Sequence, residues 1–172
     1  DQPVIVDLQA KPVRPPGYTE MKKVPANSPA HAALKRFLHG ANFGNYLEVP
    51  PGQSWAVKHT TEDVRIARRE GFDHIRIPIG WHHYTGPGPQ FRLSEEVFSK
   101  VDTLVTNALS EGLNVMINIH HFDAFTTNPG AESNKFMAIW RQVAAHYANA
   151  PEGLAFELLN EPKDAATTAV LN

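Results

Sequence analysis

The sequence repeats one pattern three times: an amphipathic stretch, a glycine, and then a short apolar run. The glycines of this pattern are Gly71, Gly112 and Gly153, and they are 41 residues apart in each case. A helix, a glycine and a strand at constant spacing predict an array of βα units. Each glycine also suits the left-handed backbone position that follows the end of a helix.

The apolar runs predict short strands that are buried on both faces, as in parallel sheets. With one earlier run they are four, at about residues 38–43, 75–79, 115–119 and 155–159. Four such units are half of a (β/α)8 barrel, which needs about 250 residues. We therefore predict an α/β fold of the TIM-barrel type, to which this chain supplies about the first four βα units. A doubly wound open sheet is the alternative, but residues 40–45 lack its glycine-rich phosphate turn.

The first part of the chain has a different composition. Residues 1–30 contain six prolines and show no helical or strand periodicity. Such a segment reads as turns and extended chain. We predict that residues 1–37 are an N-terminal extension packed on the domain, and that residues 38–172 form the half-barrel.

Composition excludes several classes of function. The net charge of −2 gives no support for a nucleic-acid or anionic-membrane partner. The chain has no cysteine, which excludes disulfides and thiolate metal sites. No apolar run reaches the roughly 18 residues of a membrane span. The chain starts at Asp1 without a signal peptide, and we expect a secreted or extracellular mature form.

Polar and aromatic side chains follow all four predicted strands. They are Asn42, Asn45 and Glu48 after the first strand, Trp81, His82 and His83 after the second, His120 and His121 after the third, and Asn160 and Glu161 after the fourth. The active sites of (β/α)8 barrels lie at the carboxyl ends of the strands. The sequence therefore predicts a catalytic site there, in which Glu161 is the leading candidate. A helix-start acid near a helix dipole is the alternative for Glu161.

Arg76 lies inside the second apolar strand. Its guanidinium could hold a catalytic carboxylate ionised through charge and bidentate hydrogen bonds. The alternative is a buried arginine satisfied by carbonyls or by a core acid.

His120 and His121 could be zinc ligands, but a catalytic zinc needs three protein ligands. Adjacent residues of a strand also point to opposite faces. We therefore favour hydrogen bonds to a sugar hydroxyl or to a carboxylate, and we expect no metal. Trp81 could be a core residue or a platform on which sugar rings stack.

Four motifs together resemble glycoside hydrolase family 5, the cellulase family of clan A, from about residue 40 to residue 162. They are Gly44-Asn45-Tyr46-Leu47-Glu48, Ile75-Arg76-Ile77-Pro78, Ile117-Asn118-Ile119-His120-His121 and Leu159-Asn160-Glu161-Pro162. The resemblance is closest to bacterial endo-β-1,4-glucanases. It implies a (β/α)8 barrel, a retaining double-displacement mechanism on β-glucan and no cofactor.

The resemblance also implies roles for individual residues. Glu161 would be the general acid/base, and Asn160 would bind the sugar 2-hydroxyl. Arg76 would maintain the ionisation of the nucleophile, and His120 would belong to the active-site shell. The residues in contact with sugars on the non-reducing side would be Asn45, Glu48 and His121.

The nucleophile of this family is a glutamate on a seventh strand, and residues 163–172 contain no glutamate. We expect a complementary C-terminal half-barrel chain, or a second copy of this chain, to complete the barrel. Mannanase, xyloglucanase and β-1,3-glucanase activities are alternatives on the same frame. A non-catalytic, carbohydrate-binding half-barrel is an alternative of another class.

Overall fold

The computed structural model describes residue 25 and residues 27–171, so the predicted extension over residues 1–37 lies largely outside the described residues. Four parallel strands form one sheet in the order β1-β2-β3-β4. The strands are β1 (Gly40–Asn42), β2 (His74–Ile77), β3 (Asn114–Asn118) and β4 (Leu154–Glu157). The parallel α/β sheet confirms the predicted fold class.

Helices precede, connect and follow the strands. They are α1 (Pro29–Leu34), α2 (Thr61–Arg69), α3 (Glu95–Ser110), α4 (Asp123–Thr127), α5 (Pro129–His146) and α6 (Thr168–Leu171), with a 3-10 turn at Trp81–Tyr84. Thr60 and Asp63 form a reciprocal capping box at the start of α2, as their spacing predicts. The buried stripe of α3, from Val97 to Ala108, confirms the helical periodicity of that segment. No helix in the described part of the chain is long and apolar enough to cross a bilayer.

Two of the three repeated glycines adopt the predicted conformation. Gly71 and Gly112 follow α2 and α3 with φ angles of +89° and +77°. Gly153 does not have a positive φ, because α5 ends at His146, well before it. A side chain at Gly153 would instead lie 3.0 Å from Leu109 and 3.1 Å from Asn114. The absence of a side chain at Gly153 therefore allows close packing against Leu109 and Asn114 and does not serve a helix end.

The observed strands are shorter than the predicted ones. β1 begins at Gly40 and not at residue 38, because the backbone N–H of Leu38 donates to the Asp73 carboxylate (2.9 Å) and its side chain is exposed. β3 ends at Asn118, so Ile119 and His120 belong to the following segment. Most of the predicted apolar residues are nevertheless buried, including Ile79 and Ile119 beyond the strand ends, whereas Leu38, Phe156 and Leu158 are exposed.

The two faces of the sheet differ in polarity. On the outer face, the side chains of Ile75, Ile77, Val115 and Ile117 are fully buried. The opposite face carries Asn42, Arg76, Asn118 and Glu157. The sequence pattern predicts strands that are apolar on both faces. The structure shows that only the outer face is apolar. Polar groups on the inner face bring the candidate site residues together.

Candidate active site

Arg76 is the centre of a hydrogen-bond network on the inner face. Its Nε donates to Glu157 Oε2 (2.6 Å), and its Nη2 donates to Glu157 Oε1 (2.8 Å) and to Asn160 Oδ1 (2.7 Å). Its Nη1 donates to Asn42 Oδ1 (3.0 Å). One side chain of β2 therefore links β1, β4 and the segment after β4.

The carboxylate held by Arg76 is Glu157, a residue that the sequence analysis did not single out. Burial by itself raises the pKa of Glu157, but the hydrogen bonds and charge of Arg76, aided by Asn118, bring the pKa below its ordinary value. Glu157 is therefore ionised at neutral pH. The sequence held a partial signal for it: a core acid was one of the partners considered for Arg76, and Glu157 is the acid within the fourth predicted strand.

Asn160 and Glu161 follow β4 after two intervening residues, Leu158 and Leu159. The backbone N–H of Asn160 donates to the carbonyl of Ile119 (2.9 Å), which holds the segments after β3 and β4 together. Glu161 has a φ of +44°, an uncommon conformation for a residue other than glycine, and its side chain is exposed. No helix begins at this residue, since α6 starts at Thr168. The helix-start interpretation of Glu161 therefore does not apply.

His120 and Asn118 form the floor of the site. Asn118 is fully buried, and its Nδ2 lies 3.3 Å from Nδ1 of His120. Burial lowers the pKa of His120 to about 4, and the neighbouring His121 and Arg76 contribute to the shift. The imidazole of His120 is therefore neutral at neutral pH, when it can both donate and accept a hydrogen bond.

His121 does not point to the face opposite His120, contrary to the argument from strand geometry. Both histidines lie beyond the end of β3, and His121 has a φ of +49°. Their rings are consequently in edge contact, with centroids 4.1 Å apart. His121 is exposed at the carboxyl end of the sheet. No group of three or more His, Cys, Asp or Glu residues among those described has the geometry of a metal site.

Glu48 organises the segment after β1. It is buried, and its carboxylate accepts hydrogen bonds from the backbone N–H groups of Asn45 and of Tyr46 (2.9 Å for Tyr46). Asn45 has a φ of +62° and an exposed side chain. The negative charge of Glu48 also acts on His120. Glu48 therefore holds the turn that presents Asn45, and its carboxylate is directed at this turn.

Of the two interpretations of Trp81, the structure fits a core residue and not a platform on which sugar rings stack. Its indole is fully buried, packs on Phe98, and donates from Nε1 to the backbone carbonyl of Asn118 (3.0 Å). The exposed tryptophan near the site is Trp55, on the segment after β1, with 52% of its surface accessible. This segment is tied to the site where the N–H of Val57 donates to the carbonyl of Asn45 (2.6 Å).

His82 lies beside the site, within the 3-10 turn. Its ring stacks on Phe122 at a centroid distance of 4.6 Å and contacts the ring of His83. Burial lowers the pKa of His82 to about 3, helped by the charges of His83 and Lys135. Its Nδ1 atom is buried without a hydrogen-bond partner. His82 is therefore a neutral ring packed among aromatic side chains.

A parallel sheet with helices on one face, and with polar groups gathered at the carboxyl ends of its strands, is the architecture of a partial (β/α)8-barrel enzyme. The sequence model for cellulases of glycosyl hydrolase family 5 matches residues 38–172. The chain belongs to this family of glycoside hydrolases. The resemblance inferred from the four motifs is thereby confirmed.

Named relatives agree with this membership. The chain is 29% identical over 136 residues to the cellulase/esterase CelE of Acetivibrio thermocellus, with 76% of this chain and 17% of CelE covered. It is 34% identical over 135 residues to endoglucanase A of Ruminococcus albus, with coverages of 72% and 37%.

A structural neighbour is Cel5A of Thermotoga maritima in complex with cellobiose, at 37% identity and a TM-score of 0.77. The match covers 80% of this chain and 45% of Cel5A. Cel5A is also known in complex with mannotriose. The chain thus spans less than half the length of each of these three proteins.

Proposed function

We propose that this chain is the acid/base half of a retaining β-glycanase, with Glu161 as the general acid/base. The observation that carries the proposal is the Asn160–Glu161 pair just beyond the carboxyl end of β4, in which Arg76 Nη2 donates to the Asn160 amide oxygen at 2.7 Å. Glu161 is exposed at the carboxyl edge of the sheet, where a glycosidic oxygen can reach it. Asn160 then has its amide N–H groups available for the sugar 2-hydroxyl.

The proposed reaction has two steps. A second carboxylate, on a strand outside this chain, attacks the anomeric carbon while protonated Glu161 gives its proton to the leaving oxygen. Water then attacks the glycosyl-enzyme ester, and Glu161 takes the proton from that water. Retaining enzymes hold the two carboxyl groups about 5 Å apart. The residues proposed to contact sugars on the non-reducing side are Asn45, Glu48 and His121, and His120 is proposed to belong to the active-site shell.

The proposed substrate is a β-1,4-glucan. Support comes from the relatives named as endoglucanases and from the cellobiose bound to Cel5A. A β-mannan is the second candidate, because Cel5A also binds mannotriose. Polymers of this kind are met outside the cell, and we propose a secreted protein on that basis.

The proposed partner is a complementary chain segment that carries the remaining strands and the nucleophile. On the outer face of β4 and just beyond its end, Phe156 and Leu158 have 44% and 53% of their surfaces accessible. Packing of apolar side chains on the next βα unit would remove this surface from water. The polar inner face of the sheet would likewise meet strands from the other half.

A non-catalytic half-barrel that only binds sugar is the competing function.

The experiment uses the assembled barrel that contains this chain. Soluble β-1,4-glucan and soluble β-mannan are supplied separately, and proton NMR follows the anomeric signals of the first product. The proposal predicts faster cleavage of the glucan and initial release of the β-anomer. Initial release of the α-anomer would exclude the retaining mechanism, and binding of both polymers without cleavage would favour the non-catalytic alternative. Faster cleavage of the mannan would select the second substrate.

A further inference from the structure

We propose that Glu157 is a positioning residue of this site: its carboxylate fixes the plane of Arg76, and Arg76 in turn fixes the amide of Asn160. The inference rests on the proposed function, because it assigns Glu157 a part in the reaction of that same site. Glu157 touches no reacting atom and acts through two other side chains.

The ion pair crosses a strand. Arg76 on β2 pairs in register with Met116 on β3, and Met116 pairs with Ala155 on β4. The guanidinium reaches over β3 and meets Glu157 through Nε and Nη2, at 2.6 and 2.8 Å. Two parallel hydrogen bonds to one carboxylate fix the plane of a guanidinium, which a single bond would leave free to rotate.

A count of donors shows what Arg76 can still offer. A guanidinium has five N–H groups. Four are used: Nε and one Nη2 group on Glu157, the second Nη2 group on Asn160, and one Nη1 group on Asn42. One Nη1 N–H remains. With Glu157 in place, a further carboxylate could receive only one hydrogen bond from Arg76. The pair of hydrogen bonds that the sequence analysis assigned to a catalytic carboxylate is therefore made to Glu157.

The same Nη2 atom determines the orientation of Asn160. Because Asn160 Oδ1 accepts from Arg76 at 2.7 Å, the amide nitrogen Nδ2 faces away from the arginine as a donor. The backbone of Asn160 is held independently, through the bond from its N–H to Ile119. Loss of the Glu157 charge would free the guanidinium and then the amide, while the backbone would stay in place. A hydrogen bond to a sugar 2-hydroxyl would weaken as a result.

The test replaces Glu157 in the assembled barrel and compares an aryl β-glycoside with its 2-deoxy analogue. Glu157→Gln keeps the shape and removes the charge. We expect kcat to fall about tenfold or more on the 2-hydroxy substrate, since contacts to the 2-hydroxyl strengthen in the transition state. On the 2-deoxy substrate, which lacks this contact, the fall should be less than about threefold. An equal fall on both substrates, or none on either, would overturn the proposal.

A matched control is available at the opposite end of the sheet. Glu152 also accepts a hydrogen bond from an arginine, Arg36, but on an exposed surface. Glu152→Gln should leave both substrates unaffected. A double variant that combines Glu157→Gln with Asn160→Ala should lose no more activity than Asn160→Ala alone, because the two residues act through one contact. Additive losses would contradict the proposal that Glu157 acts on Asn160 through Arg76.

A measurement without turnover separates this inference from the proposed function. The side-chain amide protons of Asn160 can be followed by NMR in the assembled barrel. Glu157→Gln should shift these signals and speed their exchange, and Glu152→Gln should not. Unchanged Asn160 signals would overturn the inference even in an active enzyme. A barrel that hydrolyses no glycoside but shows the shift would defeat the proposed function and leave the Glu157–Arg76–Asn160 linkage supported.

Discussion

Arg76 on β2 donates two hydrogen bonds to Glu157 on β4, at 2.6 and 2.8 Å, and thereby joins two strands that are not neighbours in the sheet. Both side chains are less than one-third exposed. The pair is therefore partly shielded from water, where charge-assisted hydrogen bonds are stronger than on an open surface. It connects the stability of the sheet to the geometry of the proposed site.

Arg76→Lys should be poorly tolerated although it keeps the charge. A lysine cannot make the two parallel bonds to Glu157 while it also reaches Asn160 and Asn42. We expect the free energy of unfolding of the assembled barrel to fall by about 1–3 kcal/mol. Urea denaturation measures this change, with Arg68→Lys on the surface of α2 as the control. A stability equal to that of the wild type would show that the two parallel hydrogen bonds from the Arg76 guanidinium are unimportant for folding.

Acid should destabilise the fold over a defined range. The pKa of His120 is about 4 and that of His82 about 3 in the folded state, against 6.5 when unfolded. Between pH 6.5 and these values the unfolded chain binds more protons, so stability falls as the pH falls. Glu157 adds to the loss at lower pH, because its lowered pKa stabilises the fold only while it stays ionised.

His82→Phe tests this explanation of acid sensitivity. Phenylalanine preserves stacking on Phe122 and removes the group that must stay neutral in the fold. The midpoint of acid unfolding should move to lower pH, as circular dichroism can measure. His39→Phe changes an exposed histidine and should leave the midpoint in place. An unchanged midpoint in His82→Phe would argue against a role for this buried ring.

Trp81 and Trp55 should differ sharply in their effect on stability. Trp81 is fully buried, and Trp81→Ala would leave a large cavity that typically costs about 3–5 kcal/mol. Trp55 is half-exposed, and Trp55→Ala should change the free energy of unfolding by less than about 0.5 kcal/mol. Equal effects in thermal denaturation would contradict the observed burial.

Residues 1–172 alone should not behave as a stable monomer. Among the described residues, no strand pairs with the outer edges of β1 and β4, and the side chains of Phe156 and Leu158 are exposed. Unpaired strand edges and exposed apolar patches favour association. Sedimentation at low concentration should show aggregates or an expanded chain, and addition of the complementary half should yield a single compact species. A cooperatively melting monomer of 19.1 kDa would contradict this expectation.

The sequence predicts features that depend on periodicity and misses those that depend on side-chain direction. The 41-residue spacing was enough for the parallel sheet, and the capping box of α2 follows from local chemistry. The burial of Trp81 and the exposure of Trp55 depend on how two segments fold after their strands, which hydropathy does not encode. His120 and His121 lie together because His121 adopts a left-handed backbone, a conformation that is uncommon for residues other than glycine and that the apolar pattern of the strand does not indicate.

The pairing of Arg76 with Glu157 illustrates the same limit at longer range. Each residue stands alone in an apolar run, and 81 positions separate them. Their contact requires the order of three strands and the inward direction of both side chains. Strand order follows from the βα repeat, but the register that brings these two residues within reach emerges only in three dimensions.

The assignment of Glu161 as the acid/base is tested most directly by the turnover of Glu161→Gln in the assembled barrel. On unactivated β-1,4-glucan, we predict a loss of about 10²–10⁴-fold or more, since leaving-group protonation accounts for that share of the rate. On an aryl glycoside with a very good leaving group, the first step should lose far less. Glu132→Gln, at a partly exposed position in the first turn of α5, should behave as the wild type. Near-normal hydrolysis of the polymer by Glu161→Gln would contradict the account.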